Sequence, residues 1–142
     1  MKILFRKITA NATIPTYANP GDAGMDICAS ENAILHPGER RLVKTGLKMQ
    51  LPPETEAQIR PRSGLALKHG ITLLNTPGTI DEGYRGELGI IMINLGESEF
   101  KIEPGMRIAQ MVVAPVLRVE TEETDNLSES DRGEGGFGST GT

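Results

Sequence analysis

The stretch Asn75-Thr76-Pro77-Gly78-Thr79-Ile80-Asp81-Glu82-Gly83-Tyr84-Arg85-Gly86-Glu87 separates two apolar runs, at 71–74 and 88–95. Apolar runs joined through a proline, three glycines and several carboxylates spell a β-hairpin with an elaborate tip. Glycine at 78, 83 and 86 lets the backbone come close to a guest or take positive φ. Main-chain groups of such a tip can hydrogen-bond a flat, planar molecule while Asp81 and Tyr84 project beside it. The same residues also suit a plain long turn with a solvated acid and a half-buried tyrosine, because Gly and Asp are common turn formers.

Working outward from the hairpin, the dominant period is two. Leu47, Met49 and Leu51 alternate with Lys48 and Gln50 before Pro52-Pro53, and Phe100 and Ile102 alternate with Lys101 and Glu103 before Pro104-Gly105. Both predict half-buried strands. Further strands are predicted over 2–8, 25–29, 33–35, 41–45, 56–60, 88–95, 108–114 and 117–120. Turn signals at Asn19-Pro20-Gly21, Pro37-Gly38, Pro52-Pro53 and Pro104-Gly105 recur at the spacing of a sandwich or barrel. The pattern is all-β rather than βαβ. Leu88-Gly89-Ile90-Ile91-Met92-Ile93 and Met111-Val112-Val113 are apolar on both faces and need two covers. The second cover is either the domain's own other sheet or another subunit.

One short helix is predicted over 62–70, with Pro61 before it, Ser63 as N-cap and Gly70 as the left-handed residue after the last turn. Helix amides beside Arg62 suit an anion; a self-capped surface turn with a solvated arginine is the alternative. His69 reads as a charge at the helix C-terminus or a surface residue, and His36 as a turn neighbour.

A chain of 142 residues makes one ordinary domain. With no tryptophan, three phenylalanines and two tyrosines, its core is aliphatic. The formal charge of −4 argues against a nucleic-acid polymer or an anionic membrane as partner, since both need a broad basic face. Any polyanion bound here is small and met locally. Cys28 is the single cysteine and lacks metal-ligand spacing, so it reads as a small core residue. Charge breaks the first eight residues and no apolar run reaches membrane length, which predicts a soluble protein of a reducing compartment, the cytoplasm.

The barrel is expected over 1–120 and a flexible arm over 121–142. The arm is acidic and serine-rich until Asp131, then glycine-rich, and such composition does not order itself. Phe137 stands apart. An aromatic ring among glycines, with Arg132 before it and Ser139 and Thr140 after it, has what a ligand-ordered flap needs. No Walker-type Gly-x-x-x-x-Gly-Lys-Ser/Thr pattern is present.

Five motifs together resemble the trimeric deoxyuridine triphosphatase (dUTPase) family over nearly the whole chain. They are Ala23-Gly24-Met25-Asp26-Ile27, Pro61-Arg62-Ser63-Gly64-Leu65-Ala66, the hairpin segment 78–87, Gly105-Met106-Arg107-Ile108-Ala109-Gln110, and the tail segment 132–141. Ile27, where leucine is common, is a conservative change. The resemblance implies a jelly-roll-like β-barrel homotrimer in which all three chains build each active site. It implies hydrolysis of dUTP to dUMP and pyrophosphate, which limits uracil in DNA and supplies dUMP for thymidylate synthesis. Asp81 is the implied catalytic base. The implied substrate-binding residues are Arg62, Ser63, Gly64, Asn75, Gly78, Thr79, Ile80, Tyr84, Gln110, Arg132, Phe137, Gly138, Ser139 and Thr140. Mg2+ is the implied cofactor, carried on the triphosphate and reached by Asp26 through water.

The residue chemistry suits those roles. Uracil offers acceptor, donor and acceptor along one edge, and a site built on hydrogen bonds discriminates by roughly 10⁴ or more. Two alternatives remain at this level: a regulatory dUTPase-like binding module without turnover, and a relative of the dCTP deaminases.

Overall fold

Ten strands and one helix follow from the two-residue period in a computed structural model that describes residues 1–139. They are β1 Leu4–Lys7, β2 Met25–Cys28, β3 Ala33–Leu35, β4 Arg40–Gln50, β5 Thr55–Arg60, α1 Ser63–His69, β6 Ile71–Leu73, β7 Gly78–Ile80, β8 Glu87–Asn94, β9 Phe100–Ile102 and β10 Arg107–Pro115. Two four-stranded sheets, β1-β4-β8-β6 and β2-β10-β5-β7, and a two-stranded sheet β3-β9 are antiparallel throughout. Both large sheets feed one core cluster, with Met25, Ile27, Ala57, Ile59 and Met111 from one and Val43, Met49, Leu88, Ile90 and Met92 from the other. This is an all-β sandwich, as the turn spacing predicts, of the jelly-roll-like kind that the resemblance implies.

Burial along β8 alternates strictly, so Leu88, Ile90, Met92 and Asn94 are buried while Gly89, Ile91 and Ile93 are half covered. Full burial of each large apolar side chain is worth about 1.5–3 kcal/mol, which pins the register of β8. The sandwich covers one face of this strand. On its other face Leu42, opposite Ile91, is 56% exposed.

The predicted hairpin is present but divided. β6 pairs with β8, Leu73 opposite Met92, whereas the intervening β7 leaves for the other sheet and pairs with β5, Gly78 opposite Ile59. The tip therefore joins the two sheets. None of Gly78, Gly83 and Gly86 takes positive φ. Gly86 serves close approach instead, because a Cβ there would strike the Tyr84 ring.

Three other expectations are corrected. The segments 41–45 and 47–51 form one strand, β4, through a bulge between Lys44 and Lys48. Gly46 sits in it at φ 68°, and the displaced backbone is satisfied as the Gly46 amide donates to Glu87 Oε1 at 3.0 Å and Thr45 Oγ1 donates to the Leu88 carbonyl at 2.6 Å. Residues 117–120 form no strand. The chain leaves the sheet after Pro115, held by the Val116 amide on the Glu54 carbonyl at 2.9 Å, with Leu117 and Val119 turned outward. Ser63 is not the N-cap: Arg62 holds that position at φ −97°, ψ 127°, without a side-chain cap, and Ser63 is the first helical residue. Gly70 closes the helix at φ 67° as expected.

Candidate active site

Strands β2, β10 and β5 lie side by side, and their register sets Asp26 opposite Gln110 and Gln110 opposite Arg60. The chain continues from Arg60 through Pro61 into α1. A cleft of about 670 Å3 forms where these elements meet, and Gly24, Asp26, Arg62, Ser63, Gly64 and Gln110 line it together with Asp22, Lys68, His69 and Arg107. Gly24 leaves room there for the Gln110 side chain, whose Oε1 lies 2.5 Å from where a Cβ would stand. Gln110 Nε2 donates to the Pro61 carbonyl at 2.9 Å, tying β10 to the loop that carries Arg62.

The charged groups of the cleft are already paired with one another. Asp26 Oδ1 lies 3.4 Å from Arg62 Nε and Asp26 Oδ2 lies 3.4 Å from Arg107 Nε. Arg62 Nη1 also donates to the Arg107 carbonyl at 3.1 Å, so two separate acceptors fix the Arg62 guanidinium. The Ser63 hydroxyl makes no hydrogen bond among the described residues and faces the cleft free. Because α1 has only seven residues, its dipole is weak and the side-chain cations carry the attraction for an anion.

The hairpin tip is a second organised region. The Tyr84 amide donates to the Asp81 carbonyl at 3.0 Å, and Tyr84 O–H donates to the Glu87 carbonyl at 2.9 Å. Arg85 Nη1 donates to the Glu82 and Tyr84 carbonyls. Glu82 Oε2 accepts the Glu54 amide at 2.9 Å and pairs with Arg118 Nη2 at 3.1 Å, fastening the tip to the β4–β5 turn. Asn75 packs against Gly78, its Nδ2 lying 3.3 Å from where a Cβ would stand. Thr79 and Asp81 are exposed and Ile80 is half-buried. Asp81 has no ion-pair partner among the described residues.

The tail makes no such attachments. Among the described residues, every hydrogen bond of residues 121–139 stays within the segment, as where Arg132 Nε donates to the Gly135 carbonyl at 2.8 Å and the Ser139 amide to the Gly136 carbonyl at 3.0 Å. Phe137 is fully exposed at φ 51°, followed by Gly138 at φ 87°. Thr140 lies outside the described residues.

Of the residues the sequence singles out, the structure brings Asp26, Arg62, Ser63, Gly64 and Gln110 into one cleft. Asn75, Gly78, Thr79, Ile80, Asp81, Tyr84 and the described tail residues Arg132, Phe137, Gly138 and Ser139 do not line it. The β5 and β7 register sets Asp81 beside Glu56, four residues along β5 from Arg60. At 3.3 Å per residue and 4.8 Å between strands, Asp81 lies roughly 16 Å from Gln110 of its own chain.

Sequence reasoning named no role for Arg107, Lys68 or Glu82. Arg107 lay inside a quoted motif, whereas Lys68 and Glu82 carry no signal short of three-dimensional contact. Cys28 is buried, as predicted, and burial followed by the negative charge of Asp26 pushes its pKa up, so it remains a thiol. His69 packs its ring against Phe100 at 5.2 Å and borders the cleft. His36 pairs with Glu99 at 3.4 Å. No group of three His, Cys, Asp or Glu among the described residues forms a cation cage. Asp26 spends one direction of each carboxylate oxygen on an arginine and keeps lone pairs for water. That donor set fits a hydrated cation brought in on phosphate oxygens.

An antiparallel sandwich with a small cation-lined cleft and a glycine-rich hairpin defines a binder of small anionic molecules. A family model described as dUTPase matches residues 10–141. The deoxyuridine 5'-triphosphate nucleotidohydrolase of Clostridium novyi (strain NT) is 64% identical over 141 residues, 99% of this chain and 99% of the relative. That of Gloeothece citriformis (strain PCC 7424) is 60% identical, covering 99% and 97%. The solved structure of the Staphylococcus bacteriophage 80alpha dUTPase with dUpNHpp superposes with a TM-score of 0.94 at 30% identity, covering 99% of each chain. The chain belongs to the dUTPase family. No helix among the described residues is long and apolar enough to cross a membrane.

Proposed function

We propose that this protein hydrolyses dUTP to dUMP and pyrophosphate, with each active site assembled from more than one copy of the chain in a homotrimer. The observation that carries the shared site is the separation of Asp81 from its own chain's Arg62 and Gln110 cleft. A base must stand within one water of the α-phosphorus, and roughly 16 Å is too far. The outward apolar residues of β4 and β8, Leu42 and Ile91 among them, support burial against a second copy.

In this reading Arg62, Ser63, Gly64 and Gln110 bind the phosphates. The hairpin of a neighbouring copy presents uracil to the backbone of Gly78, Thr79 and Ile80 beside Asn75, and Tyr84 packs where a 2′-hydroxyl would point. Asp81 on the same hairpin takes a proton from the water that attacks the α-phosphorus. The P–O bond to the β-phosphate breaks and pyrophosphate leaves with the electron pair. Asp26 would hold, through water, a Mg2+ brought in with the triphosphate, and the ion would supply charge neutralisation. Arg132, Phe137, Gly138, Ser139 and Thr140 of the tail close over the nucleotide, the ring stacking on uracil and the guanidinium meeting phosphate.

The test is pyrophosphate release with Mg2+ and equal concentrations of dUTP, UTP, dCTP and dTTP. Release from dUTP far above the other three is expected. Ammonia from dCTP would point to deaminase chemistry, and tight dUTP binding without release to a binding module; either result overturns the proposal.

A further inference from the structure

We propose that Glu82 is a positioning residue that holds the hairpin carrying Asp81 and the root of the C-terminal arm at one junction, so that arm closure and the placement of Asp81 are coupled. This rests on the reading of Asp81 and the arm as parts of the site. Three observations carry it. Glu82 Oε2 accepts the Glu54 amide at 2.9 Å and pairs with Arg118 Nη2 at 3.1 Å, so one oxygen bridges the β4–β5 turn and the arm root. Glu54 stands at φ 60°, a left-handed conformation that residues other than glycine rarely adopt. Both of its backbone groups are engaged there, the amide by Glu82 and the carbonyl by the Val116 amide at 2.9 Å. Beyond Arg118, no residue of the arm bonds to the sandwich among the described residues.

The bond of Val116 to Glu54 alone would leave the departing chain a pivot. A second attachment at Arg118 gives it a direction. Arg132 and Phe137 travel on that tether, and a tether that starts in a fixed direction raises their effective concentration over one region of space. On the hairpin side, the Tyr84 amide on the Asp81 carbonyl at 3.0 Å and Arg85 Nη1 on the Glu82 carbonyl at 2.7 Å stiffen the turn. A shift of Glu82 therefore passes to Asp81, its neighbour in the chain. Coupling of this kind is reciprocal, so closure of the arm on nucleotide favours the hairpin position as much as the hairpin favours closure. The side chains of Glu82 and Arg118 are 32% and 75% exposed, which keeps the effect of breaking the pair modest.

The experiment measures calorimetric binding of α,β-imido-dUTP, and kcat and KM for dUTP, in wild-type protein, Arg118→Ala, Arg118→Lys and Glu82→Ala. Each is made with the native arm and with an arm disabled by Arg132→Gln and Phe137→Ala together. With the native arm, Arg118→Ala should weaken imido-dUTP roughly two- to fivefold, the range an exposed ion pair commands, and Arg118→Lys should restore the affinity. With the disabled arm, Arg118→Ala should change nothing. Glu82→Ala also removes the acceptor of the Glu54 amide and should lower kcat about tenfold. Amide exchange without nucleotide reads the junction itself, and in Glu82→Ala it should quicken at Glu54 and Val116 together. Melting temperature and far-ultraviolet circular dichroism report folding. Unchanged affinity in Arg118→Ala with the native arm overturns the proposal, as does an equal loss with either arm, which marks a role confined to the hairpin. If the wild type releases no pyrophosphate, the reading of the activity fails, yet exchange still decides the junction: a joint rise supports it and an unchanged Val116 amide overturns it.

Discussion

The β2–β10–β5 cleft and the C-terminal tail are both rich in polar side chains, but only the cleft is built. In the cleft, Asp26, Arg62, Arg107 and Gln110 fix one another through ion pairs and through bonds to backbone carbonyls at the ends of paired strands. In residues 121–139 every bond among the described residues is local, and the ring of Phe137 is fully exposed. The hairpin tip lies between these extremes. It is fastened by Glu82 and Arg85, yet Asp81 is exposed and does not line the cleft. Strand pairing can preorganise a half-site inside one chain, whereas in the proposed reading the residues that complete the chemistry wait for contacts from another copy or a ligand.

The largest test of that division is Asp81→Asn. The cleft is untouched by this change, so binding of imido-dUTP should persist while turnover falls about 10²–10⁴-fold, the usual cost of removing a general base. Near-normal turnover in the folded variant would remove Asp81 from the role. Truncation before Arg132 comes next. The barrel's own bonds do not involve the tail, so melting temperature should hold while most activity disappears. Ordering each tail residue costs roughly 1–2 kcal/mol, which ring stacking and phosphate contacts must offset. Phe137→Trp fluorescence should therefore change when nucleotide is added. Full activity after truncation would reduce the tail to an inert end.

Tyr84→Ala gives a smaller effect, a narrowing of the dUTP over UTP preference in kcat/KM; an unchanged ratio would show that the ring does not exclude the 2′-hydroxyl. Cys28 gives the smallest. Its raised pKa means that the folded state holds the thiol proton more tightly than the unfolded chain. The contribution to stability is present at neutral pH and is lost as pH climbs through the alkaline range toward the folded pKa. Labelling by a thiol reagent at mildly alkaline pH should be slow in native protein and fast after denaturation. Rapid native labelling would mean that the β2 end of the cleft opens.

Period-two alternation made most of the sandwich legible, because half-buried strands write their register into the sequence. The bulge at Gly46 was not, since one glycine looks like a break until Thr45 and Glu87 are seen to satisfy the displaced backbone. Leu117 and Val119 imitate a strand edge that finds no partner in the chain. The Ser63 cap failed because the extended conformation that starts the helix falls on Arg62, one residue earlier. Within the site, the motifs located residues but not their grouping. The division of Asp81 from Arg62 lies in the pairing of β7 with β5, a long-range register that local pattern does not encode.

Subunit complementation tests the shared site most directly. Asp81→Asn and Arg62→Gln proteins, each inactive alone, are mixed in equal amounts, dissociated, reassembled and assayed for pyrophosphate release from dUTP. If hairpin and cleft come from different copies, random reassembly should restore roughly a quarter of the wild-type sites. Should the reassembled mixture remain as inactive as its parents while wild-type protein recovers through the same treatment, each site is contained within one chain and the account is wrong.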